Sequence, residues 1–259
     1  MKKNIFSKIM LLSIATTAIL FTSCKKDDDT GGDNTPTKGT VKLEFEHKWG
    51  MNLVPFSMGV DIKQPKTGDT LKFTTLKYYV SNIKFKKSDG TWWSQDESYH
   101  LVDASIPSSL IISIADVPIG TYTEMQYTMG VDSIRNVSGA QTGALSTANG
   151  MFWNWNSGYI MTKAEGMSPN SPSGDYALHL GGFQGEFNVV TVKSTDFGGE
   201  VLNVSPSATP QIHLVANPAK FWHTNPGVKT ISKIHMPGAN AKQAAKDFYD
   251  GIFFDHIHP

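Results

Sequence analysis

The feature that most constrains the fold is an alternation of apolar and polar residues that recurs along the chain. In the first run Val41, Leu43 and Phe45 alternate with lysine and glutamate, and the same period of two returns over residues 76–85. This period places the apolar side chains on one face of an extended segment, so each run predicts a half-buried strand. Ser88-Asp89-Gly90 predicts a hairpin turn, because glycine tolerates the positive φ that tight turns require.

Glycine and proline separate these runs at intervals typical of a β-sandwich. One segment near the C-terminus has helical character instead, since Asn240 can cap a helix over residues 241–249. The sequence therefore predicts an all-β fold, a single β-sandwich-like domain over residues 41–259 with one short C-terminal helix. Further strands are expected near residues 99–103, 110–116, 122–130, 151–163, 176–180, 186–193, 200–204 and 210–216.

Residues 1–23 have the pattern of a secretory signal peptide. Three lysines precede an apolar stretch that is too short and too interrupted to be a stable membrane span. Cys24, the only cysteine, follows Phe21-Thr22-Ser23 in a position that resembles the lipobox of bacterial lipoproteins. We expect Cys24 to be lipidated, since the alternative leaves an exposed thiol without a partner, and a second acyl chain would make the anchor stable.

Residues 24–40 combine the acylated cysteine with a flexible tether. The segment after Cys24 has no large apolar side chain and cannot bury enough surface to order itself. Its opening CKKDDD resembles the export signal of Bacteroidetes lipoproteins. We therefore expect an outer-membrane lipoprotein displayed at the cell surface, with the periplasmic face as the alternative.

Charge and motifs narrow the function classes. Removing the three lysines of residues 1–23 leaves 20 basic against 23 acidic residues, a formal charge of −3. A nucleic-acid partner is not expected, because polyanion binders carry a clustered basic surplus. The sequence contains no HExxH, GxSxG, P-loop, Rossmann or CxxC pattern. We therefore expect a binding protein and not an enzyme.

The segment Gly150–Gly166 is the densest in aromatic residues. If it is extended, Met151, Trp153 and Trp155 project to one face. Two indoles in register provide an oxidisable aromatic surface. Core packing and, if the rings are exposed, a platform for stacking on sugars are the alternatives.

Several motifs in combination resemble the MbnP-like family, which is common among Bacteroidetes lipoproteins. The resemblance covers nearly all of residues 41–259, and the W-x-W-x-x-G-Y block is its most specific part. The motifs are GMFWNWNSGYIMTKAEG at 150–166, LKYYVSNIKF at 76–85, SYHLVD at 98–103, GVDSIRN at 130–136, LHLGGF at 178–183 and FDHIH at 254–258.

This resemblance implies a copper-binding protein with a di-haem cytochrome c peroxidase-like partner. In the family that partner oxidises a tryptophan to kynurenine, and related methanotroph proteins use such a residue beside two histidines at the copper. The resemblance therefore implies a copper site near Trp153 or Trp155, either of which could be the oxidised residue.

The histidines provide a separate argument for a metal. His256 and His258 are two residues apart, so in an extended chain their imidazoles share one face, and Asp255 could fix a histidine tautomer. Imidazole suits copper, zinc and nickel. A solvated tail is the alternative interpretation.

Four further histidines each fit a structural or surface role better than a ligand role when taken alone: His179, His100, His213 and His47. The family motifs rank His179 and His100 next after the C-terminal pair. We predict one copper ion, held more firmly as Cu(I), with His256 and His258 as leading ligands and His179 or His100 completing the site. The competing function is a surface glycan-binding or protein-interaction module without a metal.

Overall fold

The computed structural model describes residues 37–139, 141–153 and 157–259. Two curled sheets supply the inner faces of a shared hydrophobic core, which confirms the predicted all-β, sandwich-like class. The first strand begins at Lys38, and its buried residues alternate as the sequence predicts. The N-terminal signal segment, Cys24 and most of the tether lie outside the described residues.

The smaller sheet has the order β15-β13-β1-β2, with β7 also paired to β1. Strands β1 and β13 run parallel, while β15 pairs antiparallel with β13. This arrangement makes β15 an edge strand of the sheet. Its strands are β1 Lys38–Trp49, β2 Val54–Pro55, β7 Ile111–Pro118, β13 Gln211–Ala216 and β15 Ile252–His258.

The larger sheet has the order β11-β8-β4-β9-β10-β14, and four short strands pair with β8 or β4 outside this path. The last pair, β10 and β14, is parallel. The strands are β3 Asp61–Lys63, β4 Thr70–Lys87, β5 Trp92–Ser94, β6 Tyr99–Asp103, β8 Gly120–Met129, β9 Ile160–Met167, β10 Asp175–Gly181, β11 Thr191–Asp196, β12 Leu202–Val204 and β14 Lys233–Ile234.

Aromatic side chains join the two sheets. Phe45 of β1 contacts Tyr78 of β4 and Tyr127 of β8 edge-on, with ring centroids 5.7 and 6.4 Å apart. All three rings are buried. Edge-to-face pairs of this kind add to the free energy gained by burying the rings. The polar residues that alternate with these aromatics consequently face outward, where the candidate sites lie.

Helix α2, Ala239–Asp250, closes one end of the core. Its Phe248 stacks on Phe221 at 4.4 Å and meets Tyr78 edge-on at 5.4 Å. The predicted cap was wrong: the N-cap is Gly238, and Asn240 lies inside the first turn. Among the described residues, α1 Ser133–Asn136 is a second, single-turn helix, and short 3-10 turns cover Pro107–Leu110, Gly143–Leu145, Thr147–Asn149 and Pro218–Trp222.

The strand predicted over residues 151–163 begins only at Ile160. Gly150 adopts a left-handed φ of 69°, and Phe152 forms an isolated antiparallel bridge with Tyr159. Asn136 of α1 holds Tyr159 in this pairing, because its Oδ1 accepts the Tyr159 N–H at 2.8 Å. Met151 and Trp153 are therefore not part of a regular strand, and Trp155, the third member of the expected row, lies outside the described residues. No helix in the described ranges is long and apolar enough to cross a bilayer.

Candidate metal site

Strand pairing brings three histidines together on the outer face of the smaller sheet. In the β13–β15 register, His213 lies opposite His256, and Gln211 lies opposite His258. Ile212 and Leu214 are buried, so His213 between them points away from the core. We call His213, His256 and His258 the three-histidine cluster.

One ring nitrogen from each of the three histidines lies within 4.8 Å of the others. The Nε2 atoms of His256 and His258 are 3.0 Å apart. The ring centroid of His213 lies 4.5 Å from that of His256, nearly parallel to it, and 4.6 Å from that of His258. Three imidazoles with one nitrogen each within 4.8 Å of the others form a donor set that fits copper, zinc or nickel.

A carboxylate orients one ring of the cluster. The register of β15 shifts by one residue, so that Asp255 lies in a bulge between the paired residues Phe254 and His256. Asp255 Oδ2 accepts a hydrogen bond from His256 Nδ1 at 2.9 Å. Because the proton is then on Nδ1, the Nε2 lone pair of neutral His256 points toward His258. This is the supporting contact that metal-binding histidines usually have.

A second carboxylate reaches the cluster from the neighbouring strand. Glu44 of β1 lies opposite His213 in the parallel register, and its Oε2 is 3.0 Å from His213 Nε2. The Gln211 amide donates to Glu44 and also lies 2.8 Å from His213 Nε2. Burial lowers the pKa of His213, an effect that Glu44 opposes and the two other histidines of the cluster reinforce. His213 is therefore neutral at pH 7, which is the form that binds metals.

Contacts on the far side hold the edge strand in place. The backbone N–H of Ile257 donates to Glu200 Oε2 at 2.9 Å. Phe254 packs against Phe197 with ring centroids 5.4 Å apart. The segment that carries His256 and His258 is thus anchored to its neighbours and is not a solvated tail.

The two other predicted ligands lie in the larger sheet. His179 of β10 projects from the outer face, where its Nε2 is 2.7 Å from Glu165 Oε1 of β9. Burial lowers the pKa of His179, and Glu165 partly offsets this effect. His100 of β6 bonds to Gln95 Oε1 at 3.0 Å, and its burial lowers the pKa to about 4. Neither belongs to the three-histidine cluster, in which His213 is the third member.

The sequence contained one signal for His213. The alternation Ile212-His213-Leu214 already places this histidine on an outer face, like His256 and His258. What the sequence does not contain is the pairing of β13 with β15. On local grounds alone, His213 is therefore interpreted as a structural or surface histidine.

Of the two tryptophan candidates, Trp153 is described and Trp155 lies outside the described residues. The indole of Trp153 packs over Gly181, where a Cβ atom would lie only 2.3 Å from the ring. Gly181 follows His179 by two residues on β10. Trp153 is therefore part of the larger sheet's surface and is partly buried.

Comparisons with known proteins give one family and one solved fold. The sequence matches the MbnP family over residues 38–237, a range that ends before β15. The fold is similar to that of MbnP from Methylosinus trichosporium, with a TM-score of 0.51 and 16% identity over 79% of this chain and 84% of that chain. No curated protein matches the sequence.

Proposed function

The chain belongs to the MbnP family, which is associated with copper and methanobactin systems, and on that premise we propose that it binds copper through the three-histidine cluster. The observation that carries this proposal is the convergence of three imidazoles on facing strands, with one ring nitrogen of each within 4.8 Å of the others. His256 and His258 lie beyond the range of the family match. The residues of the site are therefore argued from geometry and not from the family.

The three imidazoles of the cluster favour the binding of copper as Cu(I). Neutral imidazoles suffice for an ion that accepts low coordination numbers. Asp255 fixes the proton of His256 on Nδ1, and burial keeps His213 neutral. In this proposal the cluster holds copper and does not catalyse a reaction. The proposed role is therefore that of a copper carrier or store and not that of an enzyme.

In this proposal the tryptophan oxidation that the family resemblance implies is separate from the copper cluster, because the described candidate, Trp153, lies on the larger sheet. We infer that a di-haem cytochrome c peroxidase-like partner oxidises Trp153 or Trp155 to kynurenine. Trp153 lies against Gly181 on the larger sheet, whereas the cluster lies on the smaller sheet. Copper binding by the cluster should therefore not depend on kynurenine. The test compares copper retention by native and heterologously expressed protein, with peptide mass spectrometry showing which of them contains kynurenine.

The proposed location is the outer membrane. Lipidation of Cys24 would anchor the chain, and the tether would hold the copper-binding domain at the cell surface. A di-haem partner would have to meet the protein outside the cytoplasm, which agrees with a secreted lipoprotein.

The test is copper retention by the full chain against a Cu(I) chelator of moderate affinity. The double variant His256→Ala/His258→Ala should lose most of the copper, and His213→Ala should weaken binding. His223→Ala is the control, because that exposed histidine lies in a different part of the chain, after the 3-10 turn Pro218–Trp222. If the wild-type protein and the double variant retain equally little copper, the glycan-binding or interaction alternative becomes the better proposal.

A further inference from the structure

A polar cavity lies on the outer face of the larger sheet, where β5, β4, β8 and β11 are neighbours. Strand pairing sets Lys84 of β4 between Ser94 of β5 and Gln126 of β8, and Ser194 of β11 opposite Gln126. Phe85, next to Lys84, is buried, so this row of side chains points away from the core. Lys84, Ser94 and Gln126 line a cavity of about 280 Å³, which we call the polar cavity.

The polar cavity offers hydrogen-bonding groups that the protein does not use itself. Gln95, another lining residue, accepts through Oε1 from Ser98 Oγ at 2.7 Å, and the same oxygen lies 3.0 Å from His100 Nε2. These two contacts leave the Gln95 amide N–H groups for a ligand. Gln126 donates to Ser194 Oγ at 3.0 Å, which leaves its carbonyl oxygen as an acceptor.

An exposed indole adjoins the polar cavity. Trp92 precedes Ser94 by two residues on β5, so both side chains lie on the outer face, about 7 Å apart along the strand. Trp92 is 41% exposed, and Lys86 Nζ lies 5.7 Å from its ring centroid. Lys86 is itself paired with Glu124 at 3.1 Å. A ligand here would meet an apolar ring beside a set of polar groups.

A sugar ring has the matching surface, because its C–H face is apolar and each of its hydroxyls both donates and accepts. The amides and the hydroxyl that line the cavity supply the same two functions. The cavity is close to the lower limit of about 300 Å³ for small-molecule sites, which suits a single ring.

The charge of the polar cavity narrows the class of sugar. Among the residues that the structure describes, no carboxylate lines the cavity, and no acidic side chain pairs with Lys84. Glu124, in the next row of the same face, is held by Lys86. We propose that the polar cavity and Trp92 bind one uronate residue of an acidic glycan. The ring packs on Trp92, and the carboxylate pairs with Lys84.

The test is calorimetric titration of the full chain with oligomers of galacturonate and of glucuronate, each compared with its neutral methyl ester. The wild-type protein should bind one of the acids, and its ester about tenfold more weakly, because a hydrogen bond to a charged group is lost. Lys84→Met should remove this preference, and Trp92→Ala should weaken binding of both forms by about tenfold.

Two control variants match these changes. Lys229→Met removes another exposed lysine, and Phe253→Ala removes a similarly exposed ring from the smaller sheet. Both should leave the affinity for the uronate oligomer unchanged. Circular dichroism of each variant checks that the fold is retained.

Three results would overturn the proposal: no binding of either acid by the folded wild-type protein at millimolar concentration, binding that Trp92→Ala leaves unchanged, or equal affinity for acid and ester. The site lies on the larger sheet and uses no residue of the three-histidine cluster. Copper retention should therefore be unchanged in Lys84→Met and Trp92→Ala, so the glycan and copper proposals can fail separately.

Discussion

Replacing Asp255 by alanine removes the acceptor that orients His256 in the three-histidine cluster. In the structure Asp255 Oδ2 accepts from His256 Nδ1 at 2.9 Å, and Nε2 of the same ring faces His258. Without the carboxylate, neutral His256 can carry its proton on either nitrogen. The tautomer with the proton on Nε2 has its lone pair on Nδ1, away from His258, so part of the binding free energy is lost in changing the tautomer.

The expected loss of copper affinity depends on how exposed the hydrogen bond between Asp255 and His256 is. Removing a carboxylate that supports a metal-binding histidine costs about 10- to 100-fold in affinity. The side chains of His256 and Asp255 are 39% and 48% exposed, so water can replace the lost acceptor. We therefore expect the lower end, a roughly tenfold weaker binding of copper, or about 1.4 kcal/mol.

The assay is competition with a colorimetric Cu(I) chelator at pH 7, which gives the dissociation constant directly. Asp255→Asn retains an acceptor oxygen and should weaken binding less than Asp255→Ala does. Asp250→Ala is the matched control, because this exposed carboxylate pairs with Lys246 on α2. An affinity unchanged by Asp255→Ala in a protein that loses copper on His256→Ala would refute the orienting role.

Three other predictions follow from buried or anchored groups. Burial lowers the pKa of His47 to about 4, so above pH 6.5 this residue adds no pH dependence to the stability. As the pH falls from 6.5 to 4, the unfolded chain binds a proton that the folded chain does not, and the stability of the fold decreases. His47→Gln should therefore reduce the loss of unfolding free energy between pH 7 and pH 4.5 by about 2.5 kcal/mol, measured by urea denaturation at both pH values. An equal loss in both proteins would contradict this. Gly166→Ala should destabilise the protein by about 1–3 kcal/mol in thermal unfolding, because the new Cβ would lie 2.0 Å from the Lys72 carbonyl oxygen; an unchanged midpoint would show that the strands can separate there. Cys24→Ser should release the protein from the membrane fraction, and its retention there in high salt would argue against a lipid anchor.

The local sequence was sufficient to predict which face of a strand a side chain occupies, because this depends only on the alternation of residues along an extended chain. The alternation around Phe45 predicted which side chains enter the core, and the structure buries them. The same rule placed His256 and His258 on one face of a strand, and His213 on the face opposite Ile212 and Leu214. These assignments need only the geometry of an extended backbone.

Local sequence was insufficient where a contact from a distant segment decides the conformation. The strand predicted from Met151 starts only at Ile160, and Asn136, from a distant segment, accepts the N–H of Tyr159 just before it. The helix predicted after Asn240 begins earlier, at Ala239, following the extended Gly238. For the strand, the residue pattern was compatible with both outcomes, and the contact from Asn136 accompanies the one observed.

The composition of the sites was decided by tertiary structure alone. The sequence indicated which histidines point outward, but only the pairing of β13 with β15 sets His213 opposite His256. Likewise, only the pairing of β4 with β5 and β8 sets Lys84 between Ser94 and Gln126. Strand partners and their register are chosen by the burial of apolar faces across the whole sandwich, since a shift of one residue would turn every buried side chain outward. The sequence therefore determined the donors and their faces, while the free energy of burying the core determined which donors meet.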